Sequence, residues 1–442
     1  MTECNGELFG FLPEKRLKVE VDFSGGEVTS DGGVVLLREL DRTLGLTAAA
    51  ADCFVDHRNP AMIEHTVLEM VRQRVFGIAH GYEDLNDHDT LRHDTAFQLA
   101  AGKVEPLASS PTLHRLENRS DRCLAVKLHE VIIEQFIRSF DKAPDELILD
   151  FDATDDIVHG HQEGRFFHGY YDNYCFLPLY VFCGEKLLVS YLRPSNIDGA
   201  KHSWAILALL VKRLRRQWPN VRIILRGDSG FCRHRMFDWC ERHNVKYITG
   251  LAKNTVLKKH LKEAMAQAKS AYEATAEKQR VFTEFTYKAG TWKHKRHVIG
   301  KAEHCEKGDN PRFIVTNLEG DPQALYEQIY CARGDMENRI KEQQLDLFAD
   351  RTSCRKWWSN QLRLLLSSFA YILLQNLRET ALKATELATA QMATIRLKLL
   401  KIGGVIIKNT RRVKLLLSSH YPYQNLFKHI AHTLRLPIPL VT

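Results

Sequence analysis

Apolar and polar positions change rhythm several times along the chain. Residues 17–23 (LKVEVDF) alternate as a short strand does. Helical spacing follows. TSDGGVVLLRELDRTLGL (29–46) opens on capping residues, and AMIEHTVLEMVRQRVFGIAHG (61–81) keeps the same apolar period. In SSPTLHRLENR (109–119) Ser110 reads as an N-cap and Pro111 as the first helical residue, so a short helix carries Arg115 and Arg119. Beyond residue 145 the blocks shorten. ELILDFD (146–152), NYCFLPLYVFC (173–183) and KLLVSYLRP (186–194) predict three strands, the last two joined at Gly184-Glu185. GAKHSWAILALLVKRLRRQW (199–218) is an amphipathic helix, VRIILRGD (221–228) a buried strand, RMFDWCERHN (235–244) a helix and KYITGLA (246–252) a strand.

Three strands, helix, strand, helix, strand is the order of an RNase H-like core, an α/β fold with a mixed sheet and flanking helices. Residues 255–316 interrupt it with a basic helical piece and three alternating segments, VFTEFTYKAG, WKHKRHVIGKAEH and RFIVTNL. The expected organisation is a mostly helical region over 1–140, a first part of the core over 141–254 and a β-rich insertion over 255–316. A core helix over 317–350 and a basic helical region over 351–442 complete it.

Composition narrows the class. With 442 residues, 44% hydrophobic and 26% charged, the chain reads as a globular protein of several domains. No apolar run reaches the ~18 residues of a membrane span, and no secretory pattern opens the sequence. Ten dispersed cysteines without a CxxC pair suit a reducing cytoplasm. The net charge of +8 is unevenly spread. Residues 351–442 hold 15 Lys/Arg against two acids, Glu379 and Glu386, whereas the first 350 residues are net acidic at −5. A basic block of this kind points to a polyanion, with a solvated helical face as the alternative. For the helix at Arg115 and Arg119, packing is favoured over entry into a DNA groove.

Three acids stand in positions where chemistry is possible. Asp152 and Asp228 end strands, and Glu337 sits within the helix LYEQIYCARGDMENRIKE (325–342). Carboxylates fixed at strand ends and on a helix can hold two divalent cations, which take oxygen ligands and clamp the attacking and leaving oxygens of a phosphoryl transfer. Asp150 lies on the same face of its strand as Asp152; the exit position favours Asp152. Tyr330, Arg333 and Glu337 share one helical stripe, where an arginine can grip phosphate oxygens. Competing patterns exist. LDFDATDD matches the DxDxT nucleophile motif of haloacid-dehalogenase-like phosphatases, but Glu337 and the basic tail would then have no role. RGDSG has Phe231 where the GDSGG motif of serine proteases needs glycine. NDHDTLRHD (86–94) gathers His88, Asp89, His93 and Asp94, which reads more simply as a polar loop entering a helix than as a metal site.

GYEDLNDHDTLRHD, PTLHRLENR, LDFDATDD, RGDSGF and YCARGDMENRIKE together resemble the DDE transposases of bacterial insertion sequences, group 1. The likeness is to the branch with a β-rich insertion and a helix pattern of Tyr, Arg, Glu and Lys. Tyr330, Arg333 and Glu337 fit this pattern. Gln344 occupies the Lys position, and Lys341 lies on the same side of the helix. The resemblance implies Mg²⁺-dependent cleavage and strand transfer at terminal inverted repeats, with Mn²⁺ as a possible substitute and Asp152, Asp228 and Glu337 as ligands. It also implies double-stranded DNA (element ends and target) as partner, a homodimeric synaptic complex, no membrane, and a cytoplasmic, nucleoid-associated protein. The alternative from another class is a catalytically silent DNA-binding regulator derived from a transposase. Because members of the branch can cleave through a DNA hairpin, Trp292 with Lys293, Lys295 and Arg296 is a candidate stacking site, against the plainer expectation that Trp292 packs the insertion onto the core.

Overall fold

The computed structural model describes residues 9–14 and 17–435. The remaining residues at either end, including the first eight and the last seven of the expected terminal regions, lie outside the described residues. The chain divides into two compact units. One comprises Ser120–Leu345 and Ala349–Ser368; the other comprises Met1–Arg119, Asp346–Phe348 and Phe369–Thr442.

Helix α1 (Arg122–Arg138), capped by the Asp121 carboxylate on the Leu124 N–H, leads into the sheet of the first of these units. In chain order its elements are β1 (Glu146–Ala153), β2 (Asp156–Ile157), β3 (Phe166–His168), β4 (Asn173–Phe176), β5 (Leu179–Cys183), β6 (Lys186–Tyr191), α2 (Ser203–Gln217) and β7 (Arg222–Gly227). There follow α3 (His234–Arg242), β8 (Lys246–Leu251), α4 (Lys262–Thr275), β9 (Gln279–Tyr287), β10 (Arg296–Cys305) and β11 (Arg312–Thr316). The main sheet runs β9-β10-β11-β8-β7-β1-β5-β6. Its centre, β1, β7 and β8, is parallel, and β5, β6, β11, β10 and β9 are antiparallel to their neighbours.

Alternation along β1 and β7 sorts the side chains. Leu147, Leu149, Phe151, Ile223 and Leu225 enter one core with Leu207, Leu210, Val211 and Leu214 of α2. Those four α2 positions have the i, i+3, i+4, i+7 spacing of one helical face. Ile148, Ile224, Ile248, Ile299 and Ile314 point to the opposite side and pack with Leu325 and Tyr326. Asp150, Asp152, Arg226 and Asp228 share the parity of this second face.

Two expectations change. NYCFLPLYVFC is not one strand: Pro178 has no N–H to give a ladder, and the chain splits there between β4 and β5. β4 joins β2 and β3 in a separate three-stranded sheet. The insertion, for its part, extends the main sheet. β11 pairs with β8 and β10 with β11, so the open edge of β8 is covered.

The other unit is mainly helical. His88, in the expected polar loop, is buried, with Gln73 at 3.2 Å and Arg74 at 3.0 Å from its ring nitrogens. Asp89 accepts from Ser110, and Asp94 caps the helix Thr95–Ala101. In the helix Ser110–Glu117, Leu113, Leu116 and Glu117 are buried, and Arg119 pairs with Asp56 at 3.2 Å, as a packing helix requires. The basic C-terminal region is not helical throughout. Gly404–Asn409 and Arg412–Leu417 form a hairpin, where β-branched residues follow Gly403-Gly404 and a short polar turn reverses the chain. Among the described residues no helix is long and apolar enough to cross a membrane.

Candidate active site

β1 and β7 are adjacent parallel strands, so their C-terminal ends bring Asp152 and Asp228 to one rim of the sheet. Asp228 is fixed by its own turn, its Oδ1 accepting from the Gly230 N–H at 2.8 Å. Asp152 Oδ1 accepts from the Ala153 N–H at 2.9 Å. The segment bearing Glu337 crosses the same face with uneven winding. Leu325–Tyr330 is a π-helix, Cys331–Arg333 a 3₁₀ turn, α5 (Gly334–Lys341) is regular, and Glu342–Asp346 is π again. π turns leave local backbone groups to find other partners. Here Arg226 Nη1 donates to the Ile329 carbonyl at 2.6 Å and ties this segment to β7.

Arg333 stands among the acids. Its Nη1 is 3.2 Å from Asp152 Oδ2, and its Nη2 is 2.9 Å from Glu337 Oε1. Burial works against the guanidinium charge, but Asp152, Glu337 and Asp228 outweigh it and hold the pKa above its ordinary value. Burial lifts the Asp152 carboxyl to about 6; Arg333 opposes this shift, and the charges of Asp228 and Glu337 add to it. The charges of Asp228 and Glu337 make the ionised Asp152 carboxylate costlier to hold, so a cation is favoured there. Hard oxygen donors of this kind fit a divalent cation, which Asp152, Asp228 and Glu337 would hold.

Asp150 is excluded from this group. It is 2% exposed and bound by Arg226, its partner in the strand register. Tyr330 approaches the same rim, and Gly250 makes room for it. A Cβ at 250 would lie 2.7 Å from the Tyr330 hydroxyl oxygen and 2.8 Å from the Ser229 nitrogen. A glycine inside KYITGL is a sequence signal for such a close approach. Lys341 is exposed. Gln344 turns inward instead, donating to Asp156 Oδ1 at 2.8 Å and to the Asp155 carbonyl at 3.1 Å. Burial pushes the Asp156 carboxyl far above the usual carboxylate range.

The candidate stacking group is not assembled, and Trp292 packs inward as the plainer expectation has it. Trp292 is 5% exposed, packed edge-on against Phe237 and Tyr287, and presents no free face. Arg296 is buried beside it, with Nη2 2.6 Å from Asp238 and Nε 2.8 Å from Glu241. Phe237 of α3 and Tyr287 at the end of β9 hold the ring inward; of the four residues, Lys293 and Lys295 remain at the surface. Asp238, Glu241 and His294 have ligand atoms within 4.8 Å of one another. Arg296 already supplies the positive charge there, so this group reads as an ion-pair knot between α3 and the insertion.

Residues 11–437 match the family described as transposase DDE domain, group 1. The chain belongs to that family. No curated protein matches it. Among solved structures it is similar to the piggyBac transposase in a cryo-EM synaptic complex with hairpin DNA. The identity is 12% over 84% of this chain and 80% of that one, with a TM-score of 0.42, a likeness too remote to carry residues across.

Proposed function

We propose that this DDE-family protein is a transposase that nicks DNA at the terminal inverted repeats of an insertion sequence and joins the freed ends to a target. The observation that carries this reading is that Asp152 and Asp228 end adjacent parallel strands while Arg333 bridges Asp152 and Glu337. The order β6-β5-β1-β7-β8, with β5 antiparallel between its two neighbours, supports an RNase H-like core beneath the site.

Asp152, Asp228 and Glu337 would hold divalent metal, Mg²⁺ or Mn²⁺. When bound, the metal would lower the pKa of an attacking water or 3′-hydroxyl and neutralise charge on the leaving oxygen. Asp152 and Asp228 are held by strand ends and backbone N–H groups, so they are oriented in advance. Arg333 has donors enough to turn from a carboxylate to a phosphate oxygen, and Tyr330 can position the strand beside it. Lys341, Lys293 and Lys295 are exposed cations that would contact phosphates. The exposed basic residues Lys408, Arg411, Arg412 and Lys414 cluster on the C-terminal hairpin and would add further phosphate contacts. A homodimer that pairs two DNA ends completes the proposal.

The test is strand nicking on DNA that carries the inverted repeats flanking the reading frame, with Mg²⁺. Asp152→Asn, Asp228→Asn and Glu337→Gln should each remove nicking and leave DNA binding. A variant that nicks normally takes its residue out of the site. Binding without nicking by the parent protein under either metal would establish the silent regulator instead.

A further inference from the structure

The strand that bears Asp152 ends at Ala153, and β2 begins at Asp156, so the small sheet of β2, β3 and β4 is joined directly to the site. Nothing above gives this sheet a task. It exposes four aromatic rings: Phe166, Phe167, Tyr170 and Tyr174 are 41, 52, 85 and 50% accessible. Exposed rings in such number mark an interaction surface.

Their arrangement is specific. Phe167 and Tyr174 are cross-strand partners, and their rings meet edge to face at 5.6 Å. Alternation puts Arg165 on the same side, where its guanidinium lies 4.7 Å over the Tyr174 ring and 2.9 Å from a His161 nitrogen. One face therefore carries two half-exposed rings and a cation that already lies over one of them. The sheet beneath is firmly seated. Ser195 donates to the Phe166 carbonyl at 2.8 Å, and the Glu163 N–H donates to the Arg355 carbonyl at 2.9 Å. Trp357 packs edge-on against Phe176 and fills the space beside Gly164, where a Cβ would come within 2.5 Å of its ring. Glu163, the acid nearest Arg165 in the chain, accepts from the Trp357 N–H at 3.2 Å.

Flat rings with a neighbouring guanidinium suit a nucleobase and its phosphate better than they suit an aliphatic protein surface, because every base has a π face and every linkage a negative charge. We propose that Arg165, Phe167 and Tyr174 form a stacking platform for an unpaired base of the DNA end, held next to Asp152. This rests on the transposase reading for its DNA and adds where a base that has left the duplex is received.

The experiment measures affinity by fluorescence anisotropy, in EDTA, for a blunt duplex and for the same duplex with a short unpaired arm containing 2-aminopurine. The parent and Phe167→Tyr should bind the forked probe more tightly and quench the 2-aminopurine. Phe167→Ala/Tyr174→Ala should lose about fivefold or more on the forked probe and little on the blunt one, with quenching gone. Equal forked-probe affinity in parent and double variant overturns the proposal. So does a change in oligomeric state of the double variant by sedimentation, which would assign the face to a second copy of the chain. Because EDTA removes any nicking, the two readings fail separately. A protein that nicks but binds both probes alike loses only the platform; one that stacks the base but never nicks loses only the nuclease.

Discussion

Arg226 and Asp150 stand opposite each other on the parallel strands β7 and β1, and the guanidinium holds both carboxylate oxygens, with Nη2 2.7 Å from Oδ2. The pair is buried, and the same arginine reaches the Ile329 carbonyl on the segment that carries Glu337. One residue thus occupies the inner aspartate and ties the segment bearing Glu337 to the strands. It also leaves Asp150 unable to act as the nucleophile of a phosphatase.

Replacing Arg226 by Met should be severe, because it leaves a buried carboxylate without its partner. A loss of ~3–5 kcal/mol in urea unfolding is expected. Adding Asp150→Asn should recover part of the stability, since the stranded charge is then gone. Recovery of nicking would be smaller, because the tie to Ile329 stays broken.

Gly250→Ala should damage activity more than its size suggests. The new methyl would press on the Tyr330 hydroxyl and on the backbone nitrogen that follows Asp228. Overpacking of this kind costs ~1–3 kcal/mol, and relief here means moving site residues. Tyr330→Phe in the same chain removes one of the two close contacts, so a partial return of folding stability is the expected result in a thermal melt.

The Asp152 carboxyl, lifted to about 6 from an ordinary 3.8, makes the metal-free protein sensitive to pH in a defined direction. A raised folded pKa means that the folded chain binds the proton more tightly. The stability this gives is full below the unfolded pKa and is lost as pH rises through about 6. Divalent metal needs the ionised form, so Mg²⁺ should raise Tm more at pH 7.5 than at pH 5 and should displace a proton at the lower pH. Asp152→Asn should flatten both dependences. Calorimetric titration in two buffers of different ionisation heat would count the protons.

On the C-terminal hairpin, Arg411→Ala/Arg412→Ala should weaken binding to all duplexes alike. The slope of log K against log salt should drop by about two. An unchanged slope would make these residues a solvated turn. This substitution is cleaner than deleting residues 351–442, because that deletion would remove Leu364, Leu365 and Phe369, which are fully buried.

The positions of the three acids, on two strand ends and one helical stripe, are legible in the sequence because these are local patterns. ELILDFD and VRIILRGD display their alternation, and Tyr330, Arg333 and Glu337 keep helical spacing. The choice between Asp150 and Asp152 depends on register: only pairing β1 with β7 brings Arg226 to Asp150. Trp292 packs inward, the plainer of its two readings. Its turn is rich in charge, but Phe237 and Tyr287, which bury it, are contributed by other elements. Gly250 was visible as an unusual residue in a strand, though its neighbour Tyr330 is eighty positions away. The aromatic sheet at 156–176 was hidden by Pro178, since the run through it reads as a single strand until the chain is seen to change sheets.

The uneven winding around Glu337 has a consequence for motif comparison. In a regular α-helix, residues seven apart differ in bearing by only ~20°. Between Glu337 and Gln344 the pitch changes to π, so the same count of residues ends in another direction. Position 344 therefore keeps the ordinal of the pattern's lysine but not its compass heading: its side chain goes to Asp156. A lysine restored there would meet a buried carboxyl, draw it toward its ionised form and be held inside the unit, while Lys341, one turn earlier, keeps the outward position.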